Sequence, residues 1–197
     1  DRLFTTTERW SELAAVLARE AEIGQTPDEI LEFKYRLGQV YESKLADLGQ
    51  AIVAYRDVLN AAPEHEATLA ALETLFAAGT KQLEIGELLE PLYRSMGEWD
   101  KLGRVYEAQL VHIPTDANES GKGGKEDRLA AYYQIAELAE EKLLDGPAAL
   151  EVFIRALKEY PLDEKSGDEA PRLAGIVDAG FETLANAYAD VLGAHAD

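Results

Sequence analysis

The sequence predicts an all-α protein, a solenoid of stacked antiparallel helix hairpins with about nine or ten helices. One block is present twice, because residues 35–59 align without a gap on residues 133–157, an offset of 98 positions. Apolar residues recur at helical spacing along most of the chain, and no alternating strand pattern of useful length is present. Repetition at this scale is typical of folds in which each unit buries its apolar face against the next.

The duplication covers more of the chain than this block. The pairs that are identical at the offset of 98 are Tyr35/Tyr133, Glu42/Glu140, Lys44/Lys142, Leu45/Leu143, Asp47/Asp145, Ala51/Ala149 and Leu59/Leu157. Upstream, an offset of 89 relates Trp10 to Trp99, the two tryptophans of the chain. We therefore predict duplicated halves 1–63 and 90–161 within a single helical repeat domain over 1–197. Because the chain starts inside a helical pattern, we expect it to be an excerpt of a longer array.

The helices of the first half follow from apolar periodicity and from their stop signals. They are predicted over about 8–22, 27–45, 48–61, 65–78 and 81–96. Pro27 suits the first turn of its helix, whereas Pro63 and Gly79 end the helices before them. Pro91 lies inside the fifth helix, which we expect to kink or split because proline removes a helical hydrogen bond.

The second half repeats this order after an insertion. Helices are predicted over about 98–112, 126–144 and 147–160, and the Pro, Asp, Asn, Ser and Gly residues of 114–125 predict a loop. A polar linker is expected over 161–170, followed by one or two helices over 171–194. Short turns between helices of this length predict antiparallel neighbours.

The repeated unit holds five predicted helices, starting near residues 28, 48, 65, 81 and 98. If inner and outer helices alternate strictly, an odd number places the two copies on opposite sides of the array. A split of the fifth helix at Pro91 would make the number of helices per copy even, and the two copies would then lie on the same side of the array. Alternatively, the array is irregular and has no single continuous groove, and the sequence leaves both options open.

The repeated block resembles the tetratricopeptide repeat (TPR). In the first copy the matching residues are Leu37-Gly38-x-x-Tyr41, then Ala51, Tyr55 and Pro63. In the second copy they are Ile135-Ala136-x-x-Ala139, then Ala149, Phe153 and Pro161. The resemblance implies that the small residue lets two helices approach closely and that the aromatic fills the wedge between them. It also implies a non-catalytic protein-interaction or scaffold function without a cofactor.

The resemblance further implies a concave groove lined by the first helix of each repeat. The groove candidates for partner binding are Glu32, Tyr35, Gln39, Glu42, Tyr133, Glu137, Glu140 and Glu141. The alternative is that the tyrosines are packing residues and the glutamates form a solvated face. The TPR subclass that holds a C-terminal carboxylate uses Lys and Asn at such positions, so we exclude it and expect a protein or peptide partner with basic character.

The charge of the chain restricts the classes of partner. There are 38 acidic and 19 basic residues, a net charge of −19, so the surface repels a nucleic-acid backbone. No run of 18 apolar residues is present, so no membrane insertion is expected. Cysteine is absent, and the three histidines are scattered, so no zinc site is predicted.

Two alternative functions stay open at this point. The loop after residue 115 offers calcium candidates with the spacing of an EF-hand loop, namely Asp116, Asn118, Ser120 and Asp127. Gly123 replaces the usual apolar residue and Lys122 and Lys125 add repelling charge, so a surface loop is the preferred interpretation. The second alternative is a helical enzyme fragment, which would need titratable residues that converge in a deep pocket.

Overall fold

The computed structural model describes residues 9–117 and 123–194. In these ranges the chain forms ten α-helices and no strand, which confirms the all-α prediction. The helices are α1 (Trp10–Ile23), α2 (Pro27–Val40), α3 (Leu48–Ala61), α4 (Glu66–Ala77), α5 (Gln82–Met96), α6 (Trp99–His112), α7 (Gly124–Glu137), α8 (Gly146–Glu159), α9 (Glu164–Ala174) and α10 (Gly180–Ala194). None of these described helices is both long enough and apolar enough to cross a membrane.

The chain divides into two compact units, Asp1–Leu88 and Leu89–Asp197. The boundary falls inside α5, which continues as one helix through Pro91. Of the two expected effects of this proline, a kink or a split, the split does not occur, and each copy keeps five helices in the described part of the chain. Sequential helices pack against each other from α1 to α4 in the first unit and from α6 to α10 in the second.

The two copies share their irregular backbone features. Four non-glycine residues of the described chain have positive φ, and they form two pairs related by the offset of 98: Ala46 with Leu144, and Lys81 with Ala179. The left-handed conformation is costly for residues with a β-carbon, so its recurrence at equivalent sites marks a shared backbone. The duplication thus extends past Pro63 and Pro161 to the starts of α5 and α10.

A π-helical turn ends the second helix of each copy, over Tyr41–Leu45 and Leu138–Lys142. The chain then reverses, and an aspartate side chain caps the next helix. Asp47 accepts from the backbone N–H of Gln50 at 3.1 Å, and Asp145 accepts from that of Ala148 at 2.9 Å. Side-chain capping of this kind satisfies a donor that the helix itself leaves unpaired.

The two tryptophans have similar surroundings. Trp10 packs against the buried side chains of Leu13 and Leu17, and the Lys44 ammonium lies 5.0 Å from the centroid of its ring. Trp99 lies 5.8 Å from the ammonium of Lys142, the equivalent lysine. Both tryptophans therefore act in packing and in a cation–π contact.

One helix was not predicted. The expected linker over 161–170 is wrong, because most of it belongs to α9, where Ser166 and Ala170 are buried. The Asp163 carboxylate accepts from the backbone N–H of Ser166 at 2.8 Å and caps this helix. The buried face of α9 contains small residues, so it lacks the large apolar periodicity by which helices are recognised in sequence.

Candidate protein-interaction site

Tyr35, the first groove candidate, is half-buried and contacts side chains of its own unit. Its ring centroid lies 6.0 Å from that of Tyr55 and 5.3 Å from that of His65. Its hydroxyl accepts a hydrogen bond from the Gln39 amide at 3.1 Å. The side chain therefore joins α2 to α3 and to the residue that caps α4.

Tyr133 has the equivalent position in the second copy. Its hydroxyl donates to the two Asp163 carboxylate oxygens, at 2.8 and 2.7 Å, and the Lys165 ammonium lies 4.1 Å from its ring centroid. Burial, together with the neighbouring Asp163 carboxylate, raises the pKa of Tyr133 to about 12. Its ring also lies 6.3 Å from that of Phe153. Both tyrosines thus contact the aromatic of the third helix and the cap of the fourth.

The equivalent glutamates Glu42 and Glu140 both have partners, but different ones. The Glu42 carboxylate accepts from the Tyr55 hydroxyl at 2.6 Å, and burial with this carboxylate nearby raises the pKa of Tyr55. The second copy has Phe153 in place of that tyrosine. There Glu140 accepts two hydrogen bonds from the Arg172 guanidinium, at 2.9 and 2.7 Å.

The remaining candidates are exposed. Glu32 lies on the outer face of α2, and Gln39 donates to Tyr35. Glu137 and Glu141 lie one helical turn apart on α7 and the π turn that follows it. Neither of these two carboxylates has a hydrogen bond or ion pair with another described residue, unlike Glu42 and Glu140.

Glu137 and Glu141 line a cleft of about 330 Å³ in the second unit. Its buried lining side chains are Leu102 and Tyr106 of α6 and Leu138 of the π turn, and exposed charged side chains form its rim. The lining residues are Arg94, Trp99, Leu102, Tyr106, Gln134, Glu137, Leu138, Glu141 and Lys142. The cleft therefore combines an apolar and aromatic floor with two carboxylates that have no partner among the described residues.

The two cations at the rim are already engaged. The Arg94 guanidinium donates to Glu90 at 2.9 Å and to the Tyr106 hydroxyl at 2.6 Å. The Lys142 ammonium lies over the Trp99 ring. Glu90 neutralises Arg94 whereas Lys142 keeps its charge, so two carboxylates and one ammonium remain at the cleft, a net charge of −1.

The first copy lacks this acidic rim, because Gln39 and Ser43 stand at the positions of Glu137 and Glu141. The two glutamates were among the sequence-predicted candidates, and the structure brings them together. The floor residues Trp99, Leu102 and Tyr106 were not predicted, since they lie on α6, outside the repeat motif. The equivalence of Trp99 with Trp10 was the signal in the sequence that pointed to this helix.

An ionic network fixes the helices that enclose the cleft. The Arg128 guanidinium forms a paired contact with the Glu159 carboxylate and donates to the backbone oxygens of Leu110 at 3.2 Å and Ile113 at 2.6 Å. The Tyr132 hydroxyl donates to Glu159 at 2.8 Å. The Arg128 guanidinium lowers the pKa of Glu159 to about 2. This network ties the end of α6 to α7 and α8, which holds the walls of the cleft in place.

The calcium candidates do not assemble into a site within the described residues. Asp116 is exposed, and the Asp127 carboxylate accepts from the backbone N–H of Gly123 at 2.6 Å, beside the start of α7. Asn118 and Ser120 lie outside the described residues. In the part of the chain that is described, no three His, Asp or Glu side chains gather as metal ligands.

Comparisons with protein-family models, curated proteins and solved structures find no match to this chain. The internal repeat is therefore the available comparison, and it shows which features differ between the copies. The acidic rim of the cleft and the ionic network around Arg128 are specific to the second copy.

Proposed function

We propose that this chain is a non-catalytic, TPR-like protein-interaction module that binds a basic segment of a partner protein in the cleft between α6 and α7. The observation that carries the proposal is the exposed pair Glu137 and Glu141, which has no partner among the described residues and borders an apolar floor. The half-buried carboxylates Glu42, Glu140 and Glu159, in contrast, each accept a hydrogen bond from a described side chain.

The chemistry of the cleft fits a lysine or arginine side chain. Both have an aliphatic stem that packs on apolar surface while the charged head reaches solvent or a carboxylate. Residues four apart on a helix have their β-carbons about 5–6 Å apart, so the two carboxylates can engage one guanidinium or two neighbouring ammonium groups. The net charge of −19 adds long-range attraction for basic segments.

In this proposal the two tyrosines have a supporting role. Tyr35 and Tyr133 each contact the following helices, so they set the shape of the surface. Glu32 and Gln39 are exposed on the first copy and offer additional polar contacts there. The proposal thus places the main contact on the second copy.

A peptide-binding experiment tests the proposal. A positional peptide library with fixed Arg or Lys residues is screened against a Trp10→Phe variant, in which Trp99 alone reports binding by fluorescence. We expect a basic peptide to shift the Trp99 emission, with an affinity that falls as salt rises. The double substitution Glu137→Gln with Glu141→Gln is expected to weaken binding at least about tenfold, because charge-assisted hydrogen bonds are lost.

The matched control removes the same charge elsewhere. Glu66 and Glu87 are exposed and lie outside the cleft, so Glu66→Gln with Glu87→Gln is expected to change the affinity by less than about twofold. Equal weakening by the two double variants would show attraction by net charge alone. That result, or the absence of any peptide that binds, contradicts the proposal.

A further inference from the structure

The second unit has a groove beside the cleft. It has a volume of about 790 Å³ and lies between the start of α8 and the turn that joins α9 to α10. The buried side chains of Leu150 and Ile154 line it. Leu144 and Ile176 also line it and are 83% and 71% exposed, so two large apolar side chains face solvent at its edge.

These two exposed side chains are specific to the second copy. At the offset of 98, Ala46 corresponds to Leu144 and Ala78 to Ile176, and both alanines are exposed. Residue 144 has a left-handed backbone with φ of 54°, as residue 46 has with 53°. A left-handed backbone is costly for a residue with a β-carbon, and a leucine stabilises a fold only where its side chain is buried. Packing within the chain therefore does not account for a leucine here, and an outlier of this kind marks a candidate contact with another molecule.

Two carboxylates line the same groove. Glu151 and Asp178 are exposed, and neither has a hydrogen bond or ion pair with another described residue. Arg155, one helical turn after Glu151, is engaged by the two oxygens of the Glu107 carboxylate at 2.6 and 2.9 Å. Since no lysine or arginine is among the lining residues, the groove itself has a charge of −2.

The equivalent surface of the first copy has a different character. Val53 and Thr80 stand at the positions of the two carboxylates, and Arg56 stands at that of Ile154. From the first copy to the second, two alanines are replaced by large apolar residues, two uncharged residues by acidic ones and an arginine by isoleucine. All five differences favour the same ligand, a segment with apolar and basic side chains.

The groove continues the cleft of the proposed function. Lys142 lines the cleft and Leu144 lines the groove, with one residue between them. Because consecutive α-carbons are about 3.8 Å apart, at most about 11 Å separates the α-carbons of Glu141 and Leu144. An extended chain rises about 3.3 Å per residue, so about three or four residues of a ligand cross this distance.

We infer that the partner segment bound at the cleft continues in extended form past the turn between α7 and α8 and into this groove. There it places an apolar side chain between Leu144 and Ile176, and a basic one beside the two carboxylates. The inference rests on the proposed function, because the cleft holds the other end of the same segment. The segment thus has two anchors, a basic residue at Glu137 and Glu141 and an apolar residue about three to five positions away. Two linked anchors bind more tightly than either does alone.

Peptide pools of eleven residues test the inference. Every pool has arginine at its central position and one leucine at each other position in turn, with glycine, serine and lysine mixed elsewhere. Nuclear magnetic resonance of the full chain reads both sites in one titration, because the Trp99 indole N–H reports the cleft and the methyl groups of Leu144 and Ile176 report the groove. Leucine about three to five positions to one side of the arginine is expected to shift all three residues' signals and to raise the affinity at least about fivefold over a pool without leucine.

Two double variants locate the apolar anchor. Leu144→Ala with Ile176→Ala installs the alanines of the first copy and is expected to abolish the gain from leucine. The matched control is Val111→Ala with Leu162→Ala, which removes side chains that are 76% and 91% exposed outside both sites, and it is expected to keep the gain. All four side chains are exposed, so the melting temperatures of both variants should stay close to that of the wild type.

A third double variant tests the basic contact. Glu151→Gln with Asp178→Asn is expected to weaken the leucine-containing pools about threefold, because charge-assisted hydrogen bonds to lysine are lost. With pools in which serine replaces every lysine, the same variant is expected to bind as the wild type does. An equal loss with and without lysine contradicts the basic contact.

The outcomes separate this inference from the proposed function. Shifts of the Trp99 signal alone, whatever the position of leucine, overturn the inference and leave the cleft as the binding site. Shifts of the Leu144 and Ile176 signals alone, or of none of the three, overturn both. A gain from leucine that survives Leu144→Ala with Ile176→Ala also overturns the inference. Methyl signals that shift with protein concentration in the absence of peptide would assign the groove to a second copy of the chain and overturn it as well.

Discussion

The ring of Tyr55 occupies the space that a β-carbon on Gly38 would need. An ideal β-carbon at residue 38 would lie 2.4 Å from Cε1 and 2.6 Å from Cδ1 of that ring. Tyr55 is fully buried and its hydroxyl is held by Glu42, so the ring cannot move away cheaply. Gly38→Ala is therefore expected to lower the free energy of unfolding by roughly 1–3 kcal/mol, measured by urea denaturation.

The control for this prediction separates close packing from helix propensity. Gly167 in α9 has no heavy atom within 4 Å of an ideal β-carbon, so Gly167→Ala has space. It is expected to stabilise the chain by roughly 0.5–1 kcal/mol, because alanine favours the helix over glycine. If Gly38→Ala stabilises the chain by a similar amount, the close approach of α2 and α3 is not as described.

The helices were predictable wherever large apolar residues keep a regular period or a proline marks a boundary. The prediction of 48–61 coincides with α3, because Ala51, Ile52, Tyr55, Val58 and Leu59 are all buried on one face. The α9 helix was missed because its buried face includes Ser166 and Ala170. Its cap is Asp163 where the first copy has His65, so an alignment by identity does not reveal that the two residues have the same role.

The candidate site was predictable in part. The positions of Glu137 and Glu141 follow from the repeat motif on one helix, and both lie at the cleft. The floor of that cleft comes from α6, about thirty residues earlier in sequence, and contacts between separate helices depend on packing that a single sequence does not specify. Glu42 and Glu140 have different partners, and these also depend on how the helices pack, which a single sequence does not specify.

The ion pair between Arg128 and Glu159 is expected to be the most sensitive electrostatic contact in the second unit. The Arg128 side chain is only 13% exposed and also donates to two backbone oxygens. Glu159→Gln leaves this guanidinium without a charged partner, which costs roughly 3 kcal/mol of unfolding free energy. Chemical denaturation at pH 7 measures the loss. A loss below about 0.5 kcal/mol would indicate that the pair acts as a solvated surface contact.

The same pair predicts acid sensitivity with a defined sign. The pKa of Glu159 in the folded state is about 2, below its ordinary value of 4.5, so the carboxylate stabilises the fold fully above pH 4.5. That contribution is lost as the pH falls from 4.5 towards 2. The difference in unfolding free energy between the wild type and Glu159→Gln is therefore expected to narrow over this range. A difference that stays constant from pH 6 to pH 3 contradicts the assignment.

The cap of α4 is expected to be weaker than the cap of α9. The His65 Nδ1 atom accepts from the backbone N–H of Thr68 at 3.3 Å, whereas the Asp163 carboxylate accepts from that of Ser166 at 2.8 Å. A carboxylate also interacts favourably with the positive end of the helix dipole. His65→Asp introduces the residue found at the equivalent Asp163, and it is expected to stabilise the chain by about 1 kcal/mol.

Thermal melts at pH 7 measure this gain in stability. The control is His112→Asn, because His112 lies exposed at the end of α6 and caps no helix N-terminus. A melting temperature that His65→Asp does not raise would show that the carboxylate is no better a cap for α4 than the imidazole.

The hydroxyl of Tyr133 is expected to matter more for stability than that of Tyr35. It donates to both oxygens of the Asp163 carboxylate, whereas the Tyr35 hydroxyl accepts one bond from an exposed amide. Tyr133→Phe is therefore expected to cost roughly 1.5–2 kcal/mol, and Tyr35→Phe less than about 0.5 kcal/mol. Because the pKa of Tyr133 is raised to about 12, its tyrosinate forms more readily in the unfolded chain. The stability of the wild type should accordingly fall as the pH rises from 10 to 12, and urea denaturation should show a smaller fall for Tyr133→Phe.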